Sequence, residues 1–136
     1  MYKKILVPLA LDHGLSSTLF DIARGLLVEG GEIHALHVVE APYGLAQATQ
    51  DKATSQQVFD QARDLMKGKL AGETGLHGHV VEGHVYRSIL GFAEDQGVDC
   101  IVMGSHKPGL SDYFIGSNAA RVVRHAPCAV HVHRAL

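Results

Sequence analysis

The segment Met103-Gly104-Ser105-His106-Lys107-Pro108-Gly109, followed by Gly116-Ser117-Asn118, holds the residues of this chain best suited to chemistry. Its glycines let a backbone approach a ligand closely, and its hydroxyls, imidazole and ammonium can all meet an anion. The segment follows an apolar run, Val98 to Met103, and leads into helical patterning from about Ser117. A strand that feeds a glycine-punctuated loop and then a helix presents main-chain N–H groups and a positive dipole end to phosphate. That reading needs an α/β framework to hold the loop in place.

The remaining elements supply one. Lys4 to Pro8 is a short apolar run ending in proline, which has no N–H to give a strand ladder. Leu15, Leu19, Ile22, Ala23, Leu26 and Leu27 recur at helical spacing, predicting an amphipathic helix terminated by Gly30-Gly31. Ile33 to Val39 predicts the second strand, broken by Ala41-Pro42-Tyr43-Gly44. Val58, Ala62, Leu65 and Met66 form the stripe of a second helix, Asp51 to Ala71, and Leu76 to Gly83 alternates as a third, half-exposed strand. Tyr86, Ile89, Leu90 and Ala93 mark a third helix closed by Gly97. Val98 to Met103 is nearly all apolar, as a parallel strand buried on both faces should be. Ala119, Ala120, Val122 and Val123 give a fourth helix, stopped by Ala126-Pro127, and Cys128 to Val132 is the last strand.

Strict alternation of strands with helices of crossover length implies right-handed connections and a parallel sheet. The expected fold is α/β: residues 1–136 as a single domain, a doubly wound five-stranded parallel sheet of order 3-2-1-4-5 with helices on both faces. Such sheets bind ligands beyond the carboxyl ends of their strands, where the strand order reverses. Those ends are Pro8-Leu9-Ala10, Val38-Val39-Glu40, Gly83-His84 and Met103-Gly104-Ser105, the first and last being neighbours. A receiver domain is excluded because strand one, ending Pro8-Leu9-Ala10, offers no carboxylate cluster for Mg²⁺. A P-loop and a dinucleotide fingerprint are excluded because neither motif follows a strand here.

Composition narrows the function further. With a formal net charge of −2, no bulk positive field exists to hold nucleic acid or an anionic membrane. No apolar stretch approaches the roughly 18–20 residues a membrane span needs. Met1-Tyr2-Lys3-Lys4-Ile5 runs directly into a strand without a signal-peptide core. Cys100 and Cys128 lie in apolar surroundings and read as reduced, buried thiols, so a cytoplasmic domain is expected.

The chain resembles the universal stress protein family over essentially its whole length. Lys3 to Pro8 is similar to the family's first strand, and His37-Val38-Val39 to the end of its second. The runs Ala93 to His106 and Gly116-Ser117 through Arg124-His125-Ala126-Pro127-Cys128 carry the resemblance most strongly. It implies the adenine nucleotide alpha hydrolase-like fold and a ligand of ATP, AMP or ADP, with or without Mg²⁺. It assigns the nucleotide to Pro8, Leu9, Ala10, Asp12, Val38, Met103, Gly104, Ser105, His106, Lys107, Gly116, Ser117 and Asn118. Two positions depart from the family pattern: Lys107 replaces the second loop glycine, and Ala10 replaces an aspartate that contacts the nucleotide, with Asp12 as a nearby substitute. The resemblance also implies a homodimer through the last strand, Ala129 to His133; the mechanism expected here is ligand-gated, with nucleotide ordering the loop 105–115 for an unknown protein partner to read. A nucleotide-independent interaction protein and a slow ATPase remain alternatives, the latter without any visible set of nucleophile, base and orienting group.

Other polar residues have plainer readings. Ser117 or Asn118 is expected to cap the fourth helix. Arg121 and Arg124 read as exposed cations. His77 with His79, and His131 with His133, share strand faces without a third ligand at metal-site spacing, so no metal is expected.

Overall fold

Among the described residues nine elements alternate: β1 (Tyr2–Pro8), α1 (Ser16–Leu26), β2 (Leu27–Glu40), α2 (Lys52–Leu70), β3 (Leu76–Gly83), α3 (Val85–Asp95), β4 (Cys100–Gly104), α4 (Ser117–His125) and β5 (Ala129–His133). The structure, a computed structural model, describes residues 1–11, 16–40, 52–105 and 115–134. All neighbouring strands are parallel, in the order β3-β2-β1-β4-β5, as the alternation predicts.

The period-two alternation of the strands sorts the core into two layers. Ile5, Val7, Ile33, Ala35, Cys100 and Val102 pack on one face against Leu19, Phe20 and Ala23 of α1 and Ala62 and Met66 of α2. Leu6, Leu36, Val38, Ile101 and Met103 pack on the other against Ile89 and Ala93 of α3 and Ala119 and Val122 of α4. Each large side chain buried here contributes about 1.5–3 kcal/mol. On α2, Val58 and Leu65 are exposed while Ala62 and Met66 are buried, so the helix dips only part of its apolar stripe into the core. The two cysteines are free and belong to opposite layers, Cys100 with α1 and Cys128 with α3 and α4. Burial, aided by Cys128 and Asp99, pushes the Cys100 thiol up to about 11, so it stays protonated.

One boundary differs from the sequence reading. Gly30-Gly31 does not terminate α1: the helix stops at Leu26, and β2 starts at once with Leu27 paired to Tyr2. Between the Tyr2–Leu27 and Lys4–Glu32 pairs, β1 advances two residues and β2 five, so the glycines form an irregularity inside β2. Gly30 takes φ +79°, and a β-carbon on Gly31 would lie 2.8 Å from the Lys3 carbonyl oxygen and 2.6 Å from a Leu27 methyl. Smaller shifts occur in β4, which begins at Cys100, and β5, which runs Ala129–His133. Before β4, the Asp99 carboxylate instead accepts from the main-chain N–H groups of Lys3 and Lys4 at 2.9 and 3.0 Å.

His77 and His79 do share a face of β3, and the structure brings them to a third imidazole, His34 of β2. A carboxylate partner settles one of the protons. The Glu32 carboxylate, held below the usual range chiefly by its bond to His34, accepts from His34 Nε2–H at 3.1 Å. His34 Nδ1 and His79 Nε2 then share a hydrogen bond at 2.9 Å, the donor being whichever ring nitrogen carries the hydrogen. Ring centroids 5.1 Å apart with nitrogens 2.9 Å apart mean that the rings meet edge to edge. On a tetrahedral metal two ring nitrogens stand about 3.3–3.4 Å apart, and this pair is closer than that and joined by its own hydrogen bond. Among the described residues no group of three or more ligands is placed to hold a metal ion. Phe92 of α3 covers the pair, 4.8 Å from His79.

Two outcomes follow. Gly31→Ala should lower stability by about 1–3 kcal/mol, read from urea unfolding, because the clash includes backbone that cannot rotate away. Burial first, then the neighbouring His34 and His77, lowers the His79 pKa below its ordinary value. The unfolded chain therefore binds the proton first as pH falls through about 6.5, and the folded state loses stability below that point. The urea midpoint should fall between pH 7.5 and 5.5, and fall less in His79→Leu; an unchanged pH slope would remove His79 from the cause.

Candidate functional site

The centre of the sheet opens at the end of β1, and the hydrogen-bond ladder shows where. β1 and β2 stay paired to Pro8–Leu36, after which Leu9 N–H donates to the Leu36 carbonyl at 2.8 Å. A continuing parallel ladder would next join Val38 N–H to the Leu9 carbonyl and Leu11 N–H to the Val38 carbonyl. Among the described residues neither bond forms. The Leu9 carbonyl instead accepts from His37 Nδ1–H at 2.8 Å. Strand geometry points the Val38 N–H and C=O to the same side as those of Leu36, into the gap where β1 has left the sheet. On the other flank, β1 and β4 pair only at Ile5–Cys100 and Leu6–Ile101, and Pro8 has no N–H to continue.

A cleft of about 810 Å³ occupies this opening. Pro8, Leu9, Ala10, Val38, Met103, Gly104, Ser105, Gly116, Ser117 and Asn118 all line it, so the structure gathers ten of the thirteen positions singled out from sequence. Asp12, His106 and Lys107 lie outside the described residues, as does most of the loop 105–115. Val38 and Met103 are 7% and 6% exposed, making an apolar bed beside the free strand edge.

The far wall is the N-terminus of α4. Gly116 is its N-cap, in an extended conformation, and among the described residues no side chain caps the helix, so neither Ser117 nor Asn118 plays that role. The first bond into the helix runs from Ala120 N–H to the Gly116 carbonyl at 2.9 Å. The N–H groups of Ser117, Asn118 and Ala119 therefore have no partner within the helix and open at the cleft, with the positive dipole end behind them. Two other amides expected in the anion cradle are committed elsewhere. Gly116 N–H donates to the Ser105 carbonyl at 2.6 Å, and Ser105 N–H to His133 at 2.9 Å. These bonds tie the loop's two ends together and to β5. Arg121 is exposed and sits 4.9 Å from the Tyr86 ring centroid, in a cation–π contact away from the cleft lining.

This geometry has known counterparts. The model of the universal stress protein family matches residues 1–134. The chain belongs to that family. Universal stress protein G of Shigella flexneri is 30% identical over 142 aligned positions, covering 98% of this chain and 100% of that one. A universal stress protein of Methanothermobacter thermautotrophicus is 31% identical, covering 98% and 97%. Among solved structures, hypothetical protein MJ0577 superposes with a TM-score of 0.82 at 26% identity, covering 100% of this chain and 98% of that one. A universal stress protein in complex with cAMP shares the fold at a TM-score of 0.63 and 16% identity, covering 98% and 99%.

Within this universal stress fold, sequence reasoning passed over His37 and the contribution of α2. Val58, Gln61 and Leu65 of α2 reach the cleft, extending it toward α1. His37 had a visible signal, a polar residue between Leu36 and Val38 near the carboxyl end of the strand. The α2 contribution had none, because helical spacing reports a stripe and not what it faces.

Proposed function

We propose that the chain is a cytoplasmic stress-response regulatory protein that binds ATP or a related adenine nucleotide in this cleft. The free main-chain edge at Val38 carries the reading. Its N–H and C=O match the N1 acceptor and N6 amino donor of adenine, an edge on which proteins commonly read bases. The 6-oxo edge of guanine presents the reverse pattern and would leave both protein groups unpaired.

The remaining parts of the cleft fit such a ligand. Its volume lies within the range of about 300–1,000 Å³ typical of small-molecule sites. The open amides of Ser117, Asn118 and Ala119 suit a phosphate chain. Ala10 puts no carboxylate at the strand end, and Glu40 at the rim is the one acid lining the cleft among the described residues. These residues form no carboxylate pair for Mg²⁺, so a metal would arrive with the phosphates. The cAMP complex of a fold relative supports the ligand class. The edge position of β5 suits the homodimer proposed through Ala129 to His133, since pairing there would cover an open ladder. Two free thiols suit a reducing compartment.

Titration calorimetry should detect ATP binding with at least about a tenfold preference over GTP, the cost of one or more unpaired buried groups. Ser117→Asp, which puts a negative charge at the phosphate end, should weaken ATP binding at least about tenfold while leaving the melting temperature nearly unchanged. Equal affinity of the wild type for ATP and GTP would sink the base-edge reading.

A further inference from the structure

We infer that His37 is the positioning residue that keeps the Val38 edge open; as a role in base recognition, this rests on the nucleotide reading above. Left alone, two adjacent parallel strands continue their ladder as long as a donor faces an acceptor. Here the Leu9 carbonyl sits beside β2, already anchored by its own residue's N–H on Leu36 at 2.8 Å. The natural next donor for that carbonyl is Val38 N–H. His37 Nδ1–H reaches it first, at 2.8 Å, from the residue immediately before Val38 on the same strand.

The imidazole thereby does two things. It satisfies a carbonyl that would otherwise pull Val38 into a further rung, and it fixes the segment Leu9-Ala10, which lines the cleft, at a set distance from β2. A carbonyl can only accept, so Nδ1 carries the hydrogen, and it does so whether or not the ring is charged. Main-chain donors and acceptors buried without partners are costly, about 1–3 kcal/mol each. The pair at Val38, a residue only 7% exposed and without a β1 partner among the described residues, is thus a standing demand for a ligand edge that His37 prevents β1 from meeting.

The test reads the Val38 amide directly. In ligand-free wild type its hydrogen exchange should be fast for a buried strand residue. In His37→Leu the Leu9 carbonyl loses its donor, Val38 N–H closes on it, and exchange at Val38 should slow at least about tenfold. ATP affinity should fall about tenfold in the same variant, while affinity for inorganic triphosphate, held at α4, stays unchanged. His37→Asn, whose amide nitrogen stands near the position of Nδ1, should restore both the fast exchange and the affinity. Unchanged exchange at Val38 in His37→Leu overturns the inference, as does equal loss of ATP and triphosphate binding. Should the wild type bind no ATP at all, the nucleotide reading fails, and exchange at Val38 still decides the role of His37.

Discussion

The rung from Leu9 N–H to the Leu36 carbonyl is the last that β1 makes with β2, and the rest of the site follows from its being the last. One residue later the His37 imidazole occupies the acceptor that a further rung would use. On the opposite flank, Pro8 withholds the donor that would prolong pairing with β4. The central strand is therefore released on both sides within two residues. The sheet parts at its middle while its outer pairs, β2 with β3 and β4 with β5, remain zipped to their ends. A cleft at the switch point is the geometric result.

The chain carries a net charge of −2, so any affinity for an anion must come from local dipoles and not from a general field. The structure concentrates them. The start of α4, whose N-cap is a glycine, faces a cleft whose walls are mostly apolar, where a dipole is less screened than at an open surface. Glu40 stands exposed at the rim. Arg121, the cation on α4 nearest the sequence motif, is turned onto Tyr86. Committing Gly116 N–H and Ser105 N–H to internal bonds costs the cradle two donors but fixes where the helix begins.

Three histidines of neighbouring strands illustrate how position decides the work of one residue type. His37 donates to a main-chain carbonyl and shapes the cleft. His34 and His79, on the opposite sheet face, form a chain from Glu32 that joins the edge strand β3 to β2 beneath Phe92. Lys4 reaches the same Glu32 at 3.6 Å, so the chain of contacts extends to β1. The sheet is thus held by side chains at one end and parted by a side chain at the other.

Much of this was written in local sequence. Apolar periodicity of two or three and a half residues reports which face an element buries, and alternation of the two types implies parallel crossovers; β3 was legible to its bounds, and the start of α4 to about Ser117. The glycines, Ser105 and Val38 were identifiable as cleft residues because strand ends are where such sheets bind ligands. What local pattern could not carry was any choice made between strands. Gly30-Gly31 has the signature of a helix stop, yet pairing of Leu27 with Tyr2 drew the glycines into β2. The Ser117 and Asn118 side chains have the chemistry of caps, yet Gly116, held by Ser105, took the capping position. The contact of His37 with Leu9 spans 28 residues of sequence. A hydrogen bond is satisfied by whichever partner the fold brings within 3 Å, and only the packed sheet fixes which one that is.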